Sequence, residues 1–561
     1  MPKSSTASSP PGSPPPIARS SLRWVRAILR PAWARRSAGP VLDPLRWGRW
    51  HRQLLWAGLL VATAAGVVAA IHHRSDQSGG SETVRAFLAA ALGIGLIGLA
   101  LSLPGATVPG FVVGLFYVGA GIVSWTYNGA TTWALLGVEG ILFAIWTFPW
   151  LRDLARLPRL GTAWLGLAYW LLGVIGAGLV LRPGLAMERV AYAGLFTLGA
   201  LAVVRATRKS GRDLSIGIVA AFLVALAALF LVGSGNALDD AHTVPANAWG
   251  RHMQNRFWGG PGLLYHPNSI AVVAVVVAIR IGADRAFRRW QRYAALGMVA
   301  VILLLVNSRT GLVYLAAAAV VHAVLIWYGR RGPAAREHAR GSFSTARAAW
   351  GAAVLPILLA VLIGVGSGGA GFLGAQRYDN GDDDVTSGRR ATWVQVWKDF
   401  TKDNVAQQIF GDTSNARATV RRPSSGGAPP VQGLTTDNAA VGAFRRGGVL
   451  GEIAFLLGLA LMLWHAIRGV RLPGQGRYPP PAWFTIAAVG SVPTIVSADW
   501  LLGGTGGTLW IYLLAGEAYL LYSAGRYWRR DRRQTGLPPK SSIMMSTEHS
   551  GGASPSTAPP Q

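Results

Sequence analysis

Cysteine is absent from all 561 residues. No disulfide can brace an external loop, and no thiolate can serve as nucleophile or metal ligand. Charge is scarce too: 14% of residues are Asp, Glu, Lys or Arg, against about 25% in an average soluble protein. A soluble chain this long would split into several domains, each needing a polar coat that so few charges cannot supply. Acids are the scarcer sign, 24 against 53 basic residues, and only five of the basic residues are lysine. The first 50 residues are Pro/Ser-rich and then Arg-rich, without an early apolar core, so no cleavable signal peptide is expected.

Apolar residues are what the chain has in abundance. They make up 51% of it, and mean hydropathy is +0.34. They come in blocks of about 20, the length that crosses a bilayer as helix. The fold class expected is all-α: a polytopic membrane bundle of about 14 spans (12–14), with one long external loop between spans eleven and twelve. The spans fall near 54–71, 84–103, 108–126, 131–150, 161–181, 189–204, 213–233, 264–282, 293–307, 311–328, 350–371, 441–465, 483–500 and 508–523. The chain thus divides into a basic segment at 1–52, a bundle with short loops at 53–371, the external loop at 372–440, further spans at 441–523 and a polar tail at 524–561. Both terminal segments have the Pro, Ser and Gly content typical of disorder.

Arginine placement gives the sidedness. With both termini cytoplasmic, essentially the whole positive excess falls in the terminal segments and in the loops assigned to the inner face. That is the positive-inside pattern of a cell-membrane protein attracted to anionic lipid. A nucleic-acid partner is not expected, since no basic folded domain with interleaved aromatics is present.

The external side carries the unusual residues. In the long loop Trp393, Trp397 and Phe400 recur at helical spacing, which predicts an amphipathic helix over 392–400 against the membrane surface. Four clusters lie at outer span ends: Arg256 with His266-Pro267-Asn268; Asn307-Ser308-Arg309-Thr310-Gly311; Gly388-Arg389-Arg390 with Trp393; and Asp437-Asn438, followed by Gly447, Gly448 and Gly451. Each has an ordinary alternative use. Arginines at span ends snorkel to headgroups, and Pro-Asn or Asp-Asn before a helix caps it. Arg309 stands out because a lone arginine in a short outer turn runs against the positive-inside bias. Several arginines converging there would suit a phosphate or diphosphate.

These motifs resemble the O-antigen ligase and O-antigen polymerase-like membrane proteins in order and sidedness over roughly 250–460. Arg256 with His266, Pro267 and Asn268 matches the family's approach to a span. Ser308, Arg309 and Gly311 match its external turn, and Gly388, Arg389, Trp393 and Phe410-Gly411 its long loop. Asp437, Asn438, Gly448 and Gly451 match the segment that closes the loop. Where the lipopolysaccharide ligases carry His before that Asn, this chain carries Asp437, which looks more like the polymerases.

The resemblance implies a membrane glycosyltransferase whose donor is a glycan on a polyprenyl diphosphate at the outer face. The acceptor would be a hydroxyl on a second lipid-linked unit or on another glycolipid. Arg309, Arg256 and Arg389 would hold the diphosphate, with Arg390 able to replace Arg389. Asp437 is one candidate base and His266 another. Ser308, Asn268, Asn438 and Trp393 would line the substrate, although the tryptophans are equally suited to anchoring at the interface. Neither a cofactor nor a metal is expected: Asp382, Asp383 and Asp384 are consecutive and cannot all face one ion on a regular element. Polysaccharide export or chain-length proteins would be partners. A transporter of the same glycolipids is the rival, and Glu139, Glu452 and Glu517 are its scattered intramembrane acids.

Overall fold

The computed structural model describes residues 82–103, 105–126, 130–148, 160–179, 181, 183–232, 257–260, 263–283, 289–306, 308–329, 389–411, 438–470, 482–496 and 507–535. Nearly all of them are helical. The helices are α1 (Glu82–Ser102), α2 (Val108–Thr126), α3 (Ala130–Thr147), α4 (Gly161–Leu179), α5 (Pro183–Ser210), α6 (Ser215–Val232) and α7 (Pro267–Ala283). After them come α8 (Arg289–Val306), α9 (Arg309–Gly329), α10 (Arg389–Phe400), α11 (Val405–Phe410), α12 (Ala439–Val470), α13 (Ala482–Gly490) and α14 (Thr508–Thr535). The expected spans near 54–71 and 350–371, both terminal segments and most of the external loop lie outside the described residues. The remaining expected spans each overlap a helix, the one at 483–500 only through the nine-residue α13 and the 3-10 turn Val492–Val496.

Six helices among the described residues are long and apolar enough to cross a membrane, and shorter apolar helices pack with them. The chain is therefore an all-α membrane bundle. Lipid offers no hydrogen bonds, so each segment must satisfy its backbone internally, and a helix does this within its own residues.

Burial differs sharply between helices that are all apolar enough to cross a membrane. The α6 helix is buried almost all round, as is α7 from Ile270 to Ile281. These two form the centre. In contrast, α3 exposes Val138, Ile141, Leu142 and Ile145, an apolar face suited to lipid.

Close approach of α2 and α6 depends on small residues. A Cβ on Gly110 would sit 2.3 Å from the Leu214 carbonyl oxygen, and one on Gly217 2.5 Å from that of Thr107. Gly114 faces Ile218 and Ala221 in the same way. Such small-residue seams let backbones meet where lipid removes any hydrophobic drive between helices.

The two ends of the bundle are tied differently. At one end Arg280 of α7 donates from Nε to Ser215 Oγ (2.8 Å) and from Nη2 to Asp213 Oδ2 (3.2 Å). Trp483 Nε1 reaches the same carboxylate at 3.0 Å, and the Arg280 guanidinium lies 5.5 Å from the Trp483 ring centroid. This buried, fully partnered group fixes α6, α7 and α13. The opposite end gathers the C-termini of α2, α6 and α8 with the N-termini of α7 and α9.

Candidate functional site

A two-strand hairpin, β1 (Gly259–Gly260) and β2 (Leu263–Leu264), covers that opposite end, with Gly259 opposite Leu264. Phe257 N donates to the Leu305 carbonyl at the end of α8 (2.9 Å), and Tyr265 N to that of Trp258 (2.9 Å). Leu264 N donates to Thr126 Oγ1 at the end of α2 (2.8 Å). The Phe257 ring stacks on Phe230 of α6 at 4.0 Å. The hairpin therefore delivers residues 265–268 to a fixed position.

His266 and Asn268 are oriented by the start of α7. The His266 carbonyl accepts from Ser269 N (2.8 Å) and Ile270 N (3.0 Å), and Pro267 opens the helix, where its missing N–H costs nothing. The His266 ring lies 4.7 Å from Trp125, and its Nδ1 accepts from Asn268 N at 3.1 Å. With Nδ1 used as acceptor, the neutral ring carries its proton on Nε2 and is a donor there.

Forty residues further on, the second motif meets the first. Ser308 Oγ, wholly buried, donates to Asn268 Oδ1 at 2.7 Å. The same oxygen accepts from Gly311 N (3.3 Å), and the Ser308 carbonyl accepts from Leu312 N (3.1 Å). Ser308 thus caps α9, and Arg309 is that helix's first residue. Two helix N-termini with their positive dipole ends are joined through one buried hydrogen bond.

Elsewhere, α10 begins at Arg389 and Arg390, and Trp393 is half-buried on it. The expected amphipathic helix is present: Val396 is buried, and Trp397 and Phe400 stack against Phe444 of α12 at 6.1 and 4.5 Å. Its apolar face is therefore partly covered by the bundle itself. Asn438 caps α12, its Oδ1 accepting from Ala440 N (3.0 Å) and Val441 N (3.1 Å). Its side chain thus carries the capping role foreseen as the alternative for Asp-Asn. Arg256 and Asp437 lie outside the described residues, as do the side chains of Arg309, Arg389 and Arg390.

The Phe410-Gly411 element has a position that sequence did not foresee. It sits in a kink of α12 at Gly448 (φ 62°, ψ −158°), with Gly411 itself at φ 97°. A Cβ on Gly448 would lie 2.4 Å from the Ile409 carbonyl oxygen, and one on Gly176 of α4 2.4 Å from that of Phe410. Three backbones meet there, and glycine is required at each contact. A capping box on Asn404 and Gln407 opens α11 and fixes its direction.

Two further groups come together only in three dimensions. Arg189 of α5 and Arg446 of α12 meet beside Tyr169 and Trp170 of α4. On α14, Glu517 is wholly buried and accepts from Thr162 Oγ1 of α4 while pairing with Nδ1 of His465 on α12. An arginine inside an apolar helix was the available signal for the first. Nothing in sequence links Thr162 to Glu517. Among the described residues no three His, Asp or Glu side chains are grouped to hold a metal ion.

No family model, no curated protein and no solved structure matches the chain.

Proposed function

We propose that the chain is an integral-membrane glycosyltransferase acting on polyprenyl-diphosphate-linked glycans at the outer face of the cell membrane. In this proposal it has about fourteen spans, both termini in the cytoplasm, and the 372–440 loop as a lid over the site. The observation that carries the proposal is the Ser308–Asn268 hydrogen bond. It joins two motifs that were picked out separately from sequence, at helix N-termini suited to an anion.

The reaction is substitution at an anomeric carbon. The acceptor hydroxyl oxygen forms the new bond, the bond to diphosphate breaks, and its electron pair leaves on the diphosphate oxygen. Arg309, on the first turn of α9, together with Arg256 and Arg389 stabilises that developing charge, as fixed cations do best in a site of low dielectric. Arg390 is the substitute for Arg389. Asp437 takes the acceptor's proton. His266, whose Nδ1 is already an acceptor, serves as a donor through Nε2. Trp393 offers a flat apolar face for sugar. No metal or cofactor enters this mechanism.

Arg309→Ala and Asp437→Ala, expressed in cells lacking their own copy, test it by surface-glycan length with protein level checked by immunoblot. Loss of long glycan with accumulation of single lipid-linked units, at normal protein level, supports polymerisation. Polymer of normal length that fails to reach its final anchor supports ligation instead. Unchanged glycan in both variants refutes the mechanism.

One observation favours the rival. The buried Thr162–Glu517–His465 group is an ionisable pair among spans, the kind of feature that transporters use for coupling. If Glu517→Gln abolishes glycolipid translocation in proteoliposomes while Arg309→Ala leaves it intact, the chain is a flippase.

A further inference from the structure

Arg189 lies in the second turn of α5 and is 5% exposed. It is within a helix long and apolar enough to cross the membrane, and so is Arg446 on α12. Burying one guanidinium among spans is costly, and such residues are retained where they bind something. Here two lie close enough for their charges to interact. The turn of α4 carrying Tyr169, Trp170 and Gly173 runs between them: a Cβ on Gly173 would be 3.7 Å from Arg189 Cδ and 3.5 Å from the Arg446 carbonyl oxygen. Arg446 Nη1 donates to Tyr169 Oη at 3.0 Å, and the Arg189 guanidinium carbon lies 5.9 Å from the Trp170 ring centroid.

Arg189 carries an unmet donor beside a like charge. Arg446 acts on Arg189 as a like charge, and among the described residues Glu188, just before Arg189 on α5, acts on it as an opposite one. Arg189 Nε has no hydrogen-bond partner among the described residues, and neither does Trp170 Nε1 in the same α4 turn. A buried N–H left unmade is expensive. An acceptor carrying negative charge would remove both the repulsion and the unmet donor.

We infer that Arg189 and Arg446 form a binding site for the phosphate of a membrane lipid. A phosphate oxygen accepts from Arg189 Nε while the headgroup charge is shared with Arg446, and Tyr169 and Trp170 hold the two guanidinium planes in place. The ligand belongs to lipid because both arginines sit inside spans, where a headgroup arrives from the bilayer. This site is made by α4, α5 and α12, not by the N-termini of α7 and α9, and it holds whether the chain transfers glycan or moves it.

Native mass spectrometry of the full-length chain in neutral detergent tests the site with four probes: a polyprenyl phosphate, phosphatidylglycerol, phosphatidylcholine and inorganic pyrophosphate. Polyprenyl phosphate and phosphatidylglycerol should both outbind phosphatidylcholine. Arg189→Gln and Arg446→Gln should each weaken them by about tenfold or more, the loss of one charge-assisted hydrogen bond. Arg212→Gln, an exposed arginine elsewhere, should change nothing. Arg189→Lys keeps the charge without the planar fork and should fall between, which separates a lost contact from a lost fold. Binding of pyrophosphate as tightly as the lipids would assign the site to free anions and overturn the lipid source. Equal binding of anionic and zwitterionic lipid by the wild type, or undiminished binding by both Gln variants, would overturn the site itself.

Discussion

The Ser308–Asn268 hydrogen bond permits a double-mutant cycle whose size follows from geometry. Ser308→Ala removes two things: the buried 2.7 Å bond to Asn268 Oδ1 and the cap on Gly311 N. Loss of a Ser cap costs about 1 kcal/mol. A polar bond between helices in a membrane protein contributes about 0.6 kcal/mol on average, and Ser308 is completely buried, which puts it at or above that average. The single variant should therefore lose about 1.5–2 kcal/mol. Asn268→Ala should lose a comparable amount. The double variant should lose less than the sum by about 0.5–1 kcal/mol, the energy of the shared bond. Ser308→Thr keeps the hydroxyl and should retain most of the stability. Reversible unfolding in mixed micelles, followed by circular dichroism, measures all four. Strict additivity of the two Ala variants would show that the bond does not join α7 to α9, and the case for a combined site would lose its foundation.

Gly448→Ala should displace α11, because the new Cβ meets the Ile409 carbonyl oxygen at 2.4 Å at a residue with φ 62°. Overpacking and backbone strain together cost about 2–4 kcal/mol. Hydrogen exchange should rise first in 405–411; unchanged exchange there would show that α11 does not rest in the kink. Glu517→Ala should cost about 3 kcal/mol or more by leaving the Thr162 hydroxyl and the His465 ring without their buried acceptor. Glu517→Gln, with an acceptor oxygen kept, should cost clearly less. Equal melting temperatures for the two variants would mean that the carboxylate is not what ties α4, α12 and α14.

Much of the helical layout is legible without coordinates. A chain entering lipid must close its hydrogen bonds within each segment, so apolar length alone marks the spans, and α2, α4, α6 and α12 fall where hydropathy puts them. Local chemistry is equally readable: Pro267 opens α7, Ser308 and Asn438 cap their helices, and Trp393, Trp397 and Phe400 lie on a real helix. Hydropathy is silent on partners, because lipid and protein interior are equally apolar. The greater apolarity of α6 fits its enclosure, but nothing in α3 says that Ile141 and Leu142 are exposed rather than packed. Small residues decide which backbones meet, as at Gly110, Gly217 and Gly176, but each needs its opposite surface to be recognised.

What sequence by itself determined, then, was a membrane chain of apolar helices and the residue types gathered at the ends of those helices. Only the tertiary structure decided that Asn268 meets Ser308, that Phe410-Gly411 enters the kink of α12, that Arg189 and Arg446 gather at one turn of α4 and that Glu517 lies between Thr162 and His465. Backbone hydrogen bonding in a helix is satisfied within four residues, so it is written locally. A buried polar side chain must find its partner on another helix, and which helix that is depends on packing.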